Sequence, residues 1–173
     1  MALVKYNNNS ISAITAASSL TTGAMTLIKS QTASSSSTID FVDGTSDVVL
    51  DSTYPIYVFK FINIHPATDG VSFTFQTDTG MDLAQSTNPQ IIAENIGNGS
   101  DECASGYLHL FNPSSTTFVK NFLIWSASYF ASDYSNNYYV AGYGNTTSAV
   151  DAIQFSMSSG NIDSGTIKLY GVS

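Results

Sequence analysis

The sequence predicts an all-β domain, a two-sheet antiparallel sandwich of jelly-roll type with an extended N-terminal arm. Three observations carry that expectation. Charged residues are only 10% of the 173, against roughly 25% in an average globular chain, and Ser and Thr take their place. Tyr and Phe supply ten residues each, which suits pleated, half-buried surfaces better than amphipathic helices. Apolar residues also recur with period 2 in short runs bounded by Pro, Gly, Asn and Asp.

Residues 1–24 are assigned to the arm and 25–173 to the sandwich. In the arm Leu3, Val4, Tyr6, Ile11, Ile14 and Leu20 stand apart in a small, polar background, the pattern of a segment that orders on a neighbour's sheet or in a groove between subunits. Met25–Ile28 reads as the first strand, followed by the serine run Ser34–Ser37. Thr38–Val42 places Ile39 and Phe41 inward and ends in the turn pair Asp43-Gly44. Val48–Leu50 is a short strand.

The centre of the chain is the pair of runs within Tyr54–Thr77. In the first, Ile56, Val58, Ile62 and Ile64 share one face and Tyr57, Phe59 and Phe61 the other, so the strand is buried on both sides. A turn from His65 to Gly70 follows. Val71, Phe73 and Phe75 then alternate with Ser72, Thr74 and Gln76. Asp78–Gly99, with Pro89, Gly97, Asn98 and Gly99, reads as a loop crossing the domain, in which Ile91, Ile92 and Ile96 form one short strand or a helical turn. Ala104–Asn112 is a strand. Thr117–Phe130 is a long one, with Val119, Leu123 and Trp125 on one face and Phe118, Phe122 and Ile124 on the other. Tyr138–Tyr143, Val150–Ser158 and Gly165–Val172 bring the count to eight or nine. Eight strands with long crossings favour a jelly-roll sandwich over the alternative, a closed barrel. No fixed-period repeat points to a propeller or β-helix.

Five lysines, no arginine and thirteen acids give a net charge of −8. Such a chain is poorly equipped to neutralise a phosphate backbone, so no nucleic-acid partner is expected. The single Cys103 excludes an internal disulfide and a Cys-based zinc site. No apolar run reaches transmembrane length and the start lacks a signal-peptide h-region, so synthesis in a cytoplasm is expected, with no membrane partner. The sequons at Asn98 and Asn145 matter only in a secretory pathway, which that start does not support.

No catalytic motif emerges. His65 precedes a proline in a turn, and His109 lies between Leu108 and Leu110; both read as structural histidines rather than bases. Asp78 with Asp82, or Asp101 with Glu102, are the carboxyl pairs that glycoside hydrolysis would need. Asp69, Asp78, Asp82 and Asp101 are loop acids without a calcium-loop spacing. No metal site or cofactor is expected, and Gly142 and Gly144 lack the lysine and helix start of a phosphate loop. The aromatic concentration Trp125, Tyr129, Tyr134, Tyr138, Tyr139 and Tyr143, beside Asn136, Asn137 and Asn145, offers stacking faces and hydrogen bonds. Trp125, Tyr138, Tyr139 and Tyr143 are therefore the glycan-contact candidates, against packing in a core or subunit interface.

The segments FINIHPATDGVSFTFQT (61–77), GYLHLFNPSSTTFVKNF (106–122), VAGYGNTTSAVDAIQFSMSSGNIDSGTIKLYGV (140–172) and GAMTLIKSQTASSSSTIDF (23–41) resemble a family of small structural proteins of marine tailed phages, cyanophage- and Pelagibacter-phage-like. The resemblance spans roughly residues 23–172. It implies a non-enzymatic virion protein on the particle surface, either a capsid decoration (cement) subunit or part of a tail fibre that binds host glycans. A decoration subunit implies the major capsid protein and its own copies, as a trimer or dimer, as partners. The arm residues Leu3, Val4, Tyr6, Ile11, Ile14 and Leu20 would then be its capsid or subunit contacts.

Overall fold

Strands form nearly everywhere the sequence alternates, and the described chain is all-β. A computed structural model describes residues 25–78 and 88–173. The arm residues Leu3, Val4, Tyr6, Ile11, Ile14 and Leu20, and the loop acid Asp82, lie outside the described residues. The strands are β1 (Thr26–Ser36), β2 (Thr38–Val42), β3 (Ile56–Pro66), β4 (Val71–Thr77), β5 (Gln90–Ile96), β6 (Ala104–Phe111), β7 (Lys120–Phe130), β8 (Tyr134–Gly144), β9 (Ala152–Met157) and β10 (Ile162–Val172).

All pairs are antiparallel, in one path β1-β10-β3-β6-β7-β5-β4-β9-β2, with β8 added on β7. The path doubles back at β5–β7, where the ladder is the single pair Ile96↔Phe130. That corner is reinforced: Ala131 N–H donates to Asn95 O (2.9 Å) and Gly97 N–H to Tyr129 O (3.2 Å), and the buried Ser126 hydroxyl donates to Ile92 O (2.6 Å). The larger section is thus β8-β7-β6-β3-β10-β1 and the smaller β5-β4-β9-β2. Their far ends, β1 and β2, follow each other in the chain across a bend with Ser35 at φ 51°. Side chains bridge this seam: Lys29 Nζ donates to Ser46 O (2.7 Å) and Gln31 Nε2 to Asp40 O (2.6 Å). The sheet is nearly closed.

Inward-facing residues of both sections meet in one apolar core. Its centre is Phe155 on β9, fully buried, with ring centroids of Phe59 and Phe61 at 5.3 Å, Phe73 at 5.9 Å, Phe41 at 6.1 Å and Phe75 at 6.4 Å. Phe41–Phe59, Phe61–Phe73 and Phe75–Phe122 are edge-on pairs that cross between the sections, the geometry that ring quadrupoles favour. Tyr57 is also buried; its hydroxyl donates to Asp51 O (2.9 Å), and burial pushes the phenol up to about 12, so it stays neutral. Lys120 is buried with no carboxylate partner among the described residues: Nζ donates to Phe118 O (2.7 Å) and Thr146 O (3.3 Å), and burial lowers its pKa.

Several expectations are corrected. Ile62 is exposed while Ile64 is buried with Phe59 and Phe61, because a bulge intervenes. Asn63 takes φ 51°, Gly165 opposite takes φ 121°, and both ladders of β3 slip there; one extra residue reverses the facing of those beyond it. The Asp78–Gly99 loop contains a seven-residue strand, β5. The serine run belongs to β1, which pairs with β10 along its length. Val48 and Leu50 are core residues but not a strand; Leu50 N–H donates to Asp43 Oδ1 (2.8 Å). Phe118 lies before β7 and is exposed. Ten strands form among the described residues, not eight or nine.

Candidate functional site

Among the described residues, His65, Asp101, Glu102 and Cys103 line one depression of about 340 Å³, while His65 and Glu102 bond to the Gly99 backbone and Cys103 to Asn63. His65 Nε2 donates to Gly99 O (3.1 Å), and Nδ1 lies 3.7 Å from Asp163. His109 lies between Tyr107, tilted at 5.1 Å, and Phe111, edge-on at 6.3 Å, with burial lowering its pKa. Glu102 accepts from Gly99 N–H (2.5 Å), closing its own turn rather than pairing with Asp101. Its carboxylate occupies the space where a Cβ on Gly97 would stand, which is why that position is glycine. Asp69 Oδ1 accepts from Asn98 N–H (3.2 Å). Burial pushes the Cys103 thiol up, away from thiolate reactivity. No three His, Cys, Asp or Glu side chains among the described residues are grouped to hold a metal ion.

Asp78 is hydrogen-bonded to Asp151, a partner that lies 73 residues on in sequence. Burial first, then that bond and the Asp151 charge, raise the Asp78 carboxyl above its ordinary value. Between the ordinary and raised values the folded chain holds more proton than the unfolded one. Stability therefore falls as pH rises through that window, and the full penalty applies above it. Asp78→Asn is expected to raise the melting temperature at neutral pH and to leave it unchanged below about pH 3, where both forms are uncharged. Melts at the two pH values check this; equal shifts at both would exclude the shared proton.

The aromatic candidates separate by strand parity. Trp125 stands directly opposite Tyr139, and Asn121 opposite Tyr143, so Trp125, Tyr139 and Tyr143 share the outer face of the larger section. Tyr138 stands apart from them: as the neighbour of Tyr139 in β8 it points to the other face, packs against the core and accepts a hydrogen bond from Asn136 Nδ2 (2.7 Å). Tyr134 stacks on Phe130 at 4.5 Å, at the end of the β7–β8 ribbon.

The outer face joins these residues to others that the sequence did not single out. Ring contacts run from Phe111 to His109 (6.3 Å), His109 to Tyr107 (5.1 Å) and Tyr107 to Trp125 (5.6 Å). Read across the ladders, one row is Lys168–Lys60–Tyr107–Trp125–Tyr139 and the next Tyr170–Val58–His109–Leu123–Ala141. Tyr139 is 78% exposed, and Leu123 and Tyr143 about half that. A depression of about 440 Å³ lies between Phe111, Leu123 and Tyr143. Lys60 Nζ sits 5.1 Å above the Tyr170 ring, a cation–π contact. The six strands of this section carry one carboxylate, Asp163, at the end of β10 beside His65. In a chain of net charge −8, the acids are gathered elsewhere. The face can stack flat, partly apolar ligands and attract negative charge at its lysine end. Comparison with protein-family models, with curated proteins and with solved structures finds no match to this chain.

Proposed function

We propose that the chain is a non-enzymatic virion structural protein, a decoration subunit that stabilises a tailed-phage head by binding the major capsid protein and its own copies. The observation that carries this reading is the start of β1. There, Met25 just before the edge strand is 38% and Leu27 within it 52% exposed, an apolar site at the point where residues 1–24 join the domain. A segment leaving from an edge can extend pairing to a neighbouring subunit, and many weak contacts of that kind sum through avidity on a lattice.

The strand order supports a jelly-roll reading of the fold. β1-β10-β3-β6 and β2-β9-β4-β5 are two four-stranded halves between which the chain passes back and forth, with β7–β8 as an inserted ribbon. That architecture recurs in capsid and lectin domains alike, so it agrees with the proposal without carrying it.

Quantitative mass spectrometry of purified particles tests the proposal. A copy number comparable with that of the major capsid protein is expected; a far smaller number, that of a tail appendage, overturns the head assignment in favour of a fibre module. Deleting residues 1–24 is expected to leave the domain folded, since the core of the described residues is built from side chains at Ala33 and beyond, and to abolish attachment to the particle. Attachment that survives the deletion would exclude the arm as the anchor.

A further inference from the structure

We propose that the outer face of the larger section is a binding track for an acidic carbohydrate, a chain of sugars bearing carboxylate or sulfate groups. The track is the row Lys168–Lys60–Tyr107–Trp125–Tyr139, one residue from each of five adjacent strands in direct register. At the ordinary spacing of paired strands it is about 19 Å long, enough for several sugar units in line.

Two features of the row point to that ligand. Three aromatic side chains stand on consecutive strands, with Tyr107 and Trp125 tilted by only 36° and Tyr139 the most exposed large apolar side chain described. Aromatic faces pack against the C–H faces of sugars, and the flanking polar groups Ser30, Ser105, Asn121 and Asn137 supply hydrogen bonds. The second feature is charge. Lys168 and Lys60 are directly opposed across β10–β3, and like charges so placed are destabilising. No carboxylate of the described residues forms an ion pair with either lysine. An anionic group lying over both would relieve their repulsion, and among the described residues the strands of this face carry one acid, at their far end, so little local repulsion opposes it.

Asp163 is the one acid of these strands, at the far end by His65. His109, beside the track, has its pKa lowered by burial, so it adds no charge at neutral pH. The cations of the track are therefore the two lysines. The inference does not rest on the virion reading: particle copy number and arm deletion test the one, saccharide binding the other.

Trp125 is the only tryptophan, so its fluorescence reports on the track itself. The full chain is titrated with oligomeric polygalacturonate and with dextran sulfate, and with neutral dextran as control. A saturable change with at least one acidic polymer and none with dextran is expected, weakening as salt is added. Tyr139→Ala, at a solvent-exposed ring, and the pair Lys60→Met with Lys168→Met, which keeps the apolar stems, are each expected to weaken binding about tenfold or more, with melting temperatures confirming that both fold. No response to either acidic polymer overturns the proposal, as does equal binding of dextran or binding that both variants leave unchanged. A dimer that Tyr139→Ala dissociates, with no saccharide bound, would make this face a contact between copies and overturn it too.

Discussion

Phe155→Ala is expected to cost about 3–5 kcal/mol of folding stability, as large-to-small changes at buried aromatic sites do. The ring is fully buried and lies within 6.4 Å of five others, drawn from β2, β3 and β4. Removing it takes a partner from both sections at once, and rings fixed on separate strands cannot collapse into the gap together. Against a typical stability of about 5–15 kcal/mol, the loss leaves a domain that is marginal or unfolded at 37 °C. Denaturant unfolding with an unchanged slope would read it out. A loss below about 1 kcal/mol would show that the five neighbours repack freely and that the core has no centre. Phe73→Ala and Phe75→Ala, each with two ring partners, belong to the same class.

Gly165→Ala is expected to be a severely damaging single-methyl change, at about 3 kcal/mol or more. At φ 121° the backbone is outside the range an L-residue tolerates, and an added Cβ would stand 2.7 Å from Asn63 O and 2.8 Å from Ile64 Cα. Both obstacles are main chain and cannot rotate away. Gly44→Ala is the control: φ is also positive, at 69°, but nothing lies within 4 Å, so only the left-handed backbone penalty of about 1–2 kcal/mol applies. Equal losses at the two sites would mean that the β3–β10 bulge moves to accommodate the methyl.

The same bulge marks where the sequence stops being legible. Period 2 places Tyr57, Phe59 and Phe61 correctly, and Phe73 and Phe75 as well, because nothing interrupts those runs. It misplaces Ile64, which lies beyond the bulge, because a left-handed asparagine looks like any other polar residue in an alternating pattern. Strand β5 is only half legible for another reason: Pro89 and Gly97 sit immediately outside it, and so short an apolar run fits a strand or a helical turn equally well. The candidate face is half legible. Trp125, Tyr139 and Tyr143 stand out by composition, but the place of Tyr107, His109 and the lysine pair depends on which strands are neighbours, and β10-β3-β6-β7 adjacency is a long-range property. Asp78 finds Asp151 for the same reason.

The position of β10 governs how the chain can acquire its shape. It is the last strand, yet it is paired on both sides, to β1 at one end of the sequence and to β3. Until residue 172 has left the ribosome, β1 lacks its one ladder partner among the described residues and β3 offers a bare edge rich in Tyr, Phe and Ile. A nascent chain in that condition is a ready template for pairing with its sisters. Completion is also slow in principle, since the β1–β10 ladder closes nearly the whole described chain into one loop. Dense polysomal production, or a lesion that delays insertion of β10, should therefore drive the protein into aggregates even where the finished fold is stable.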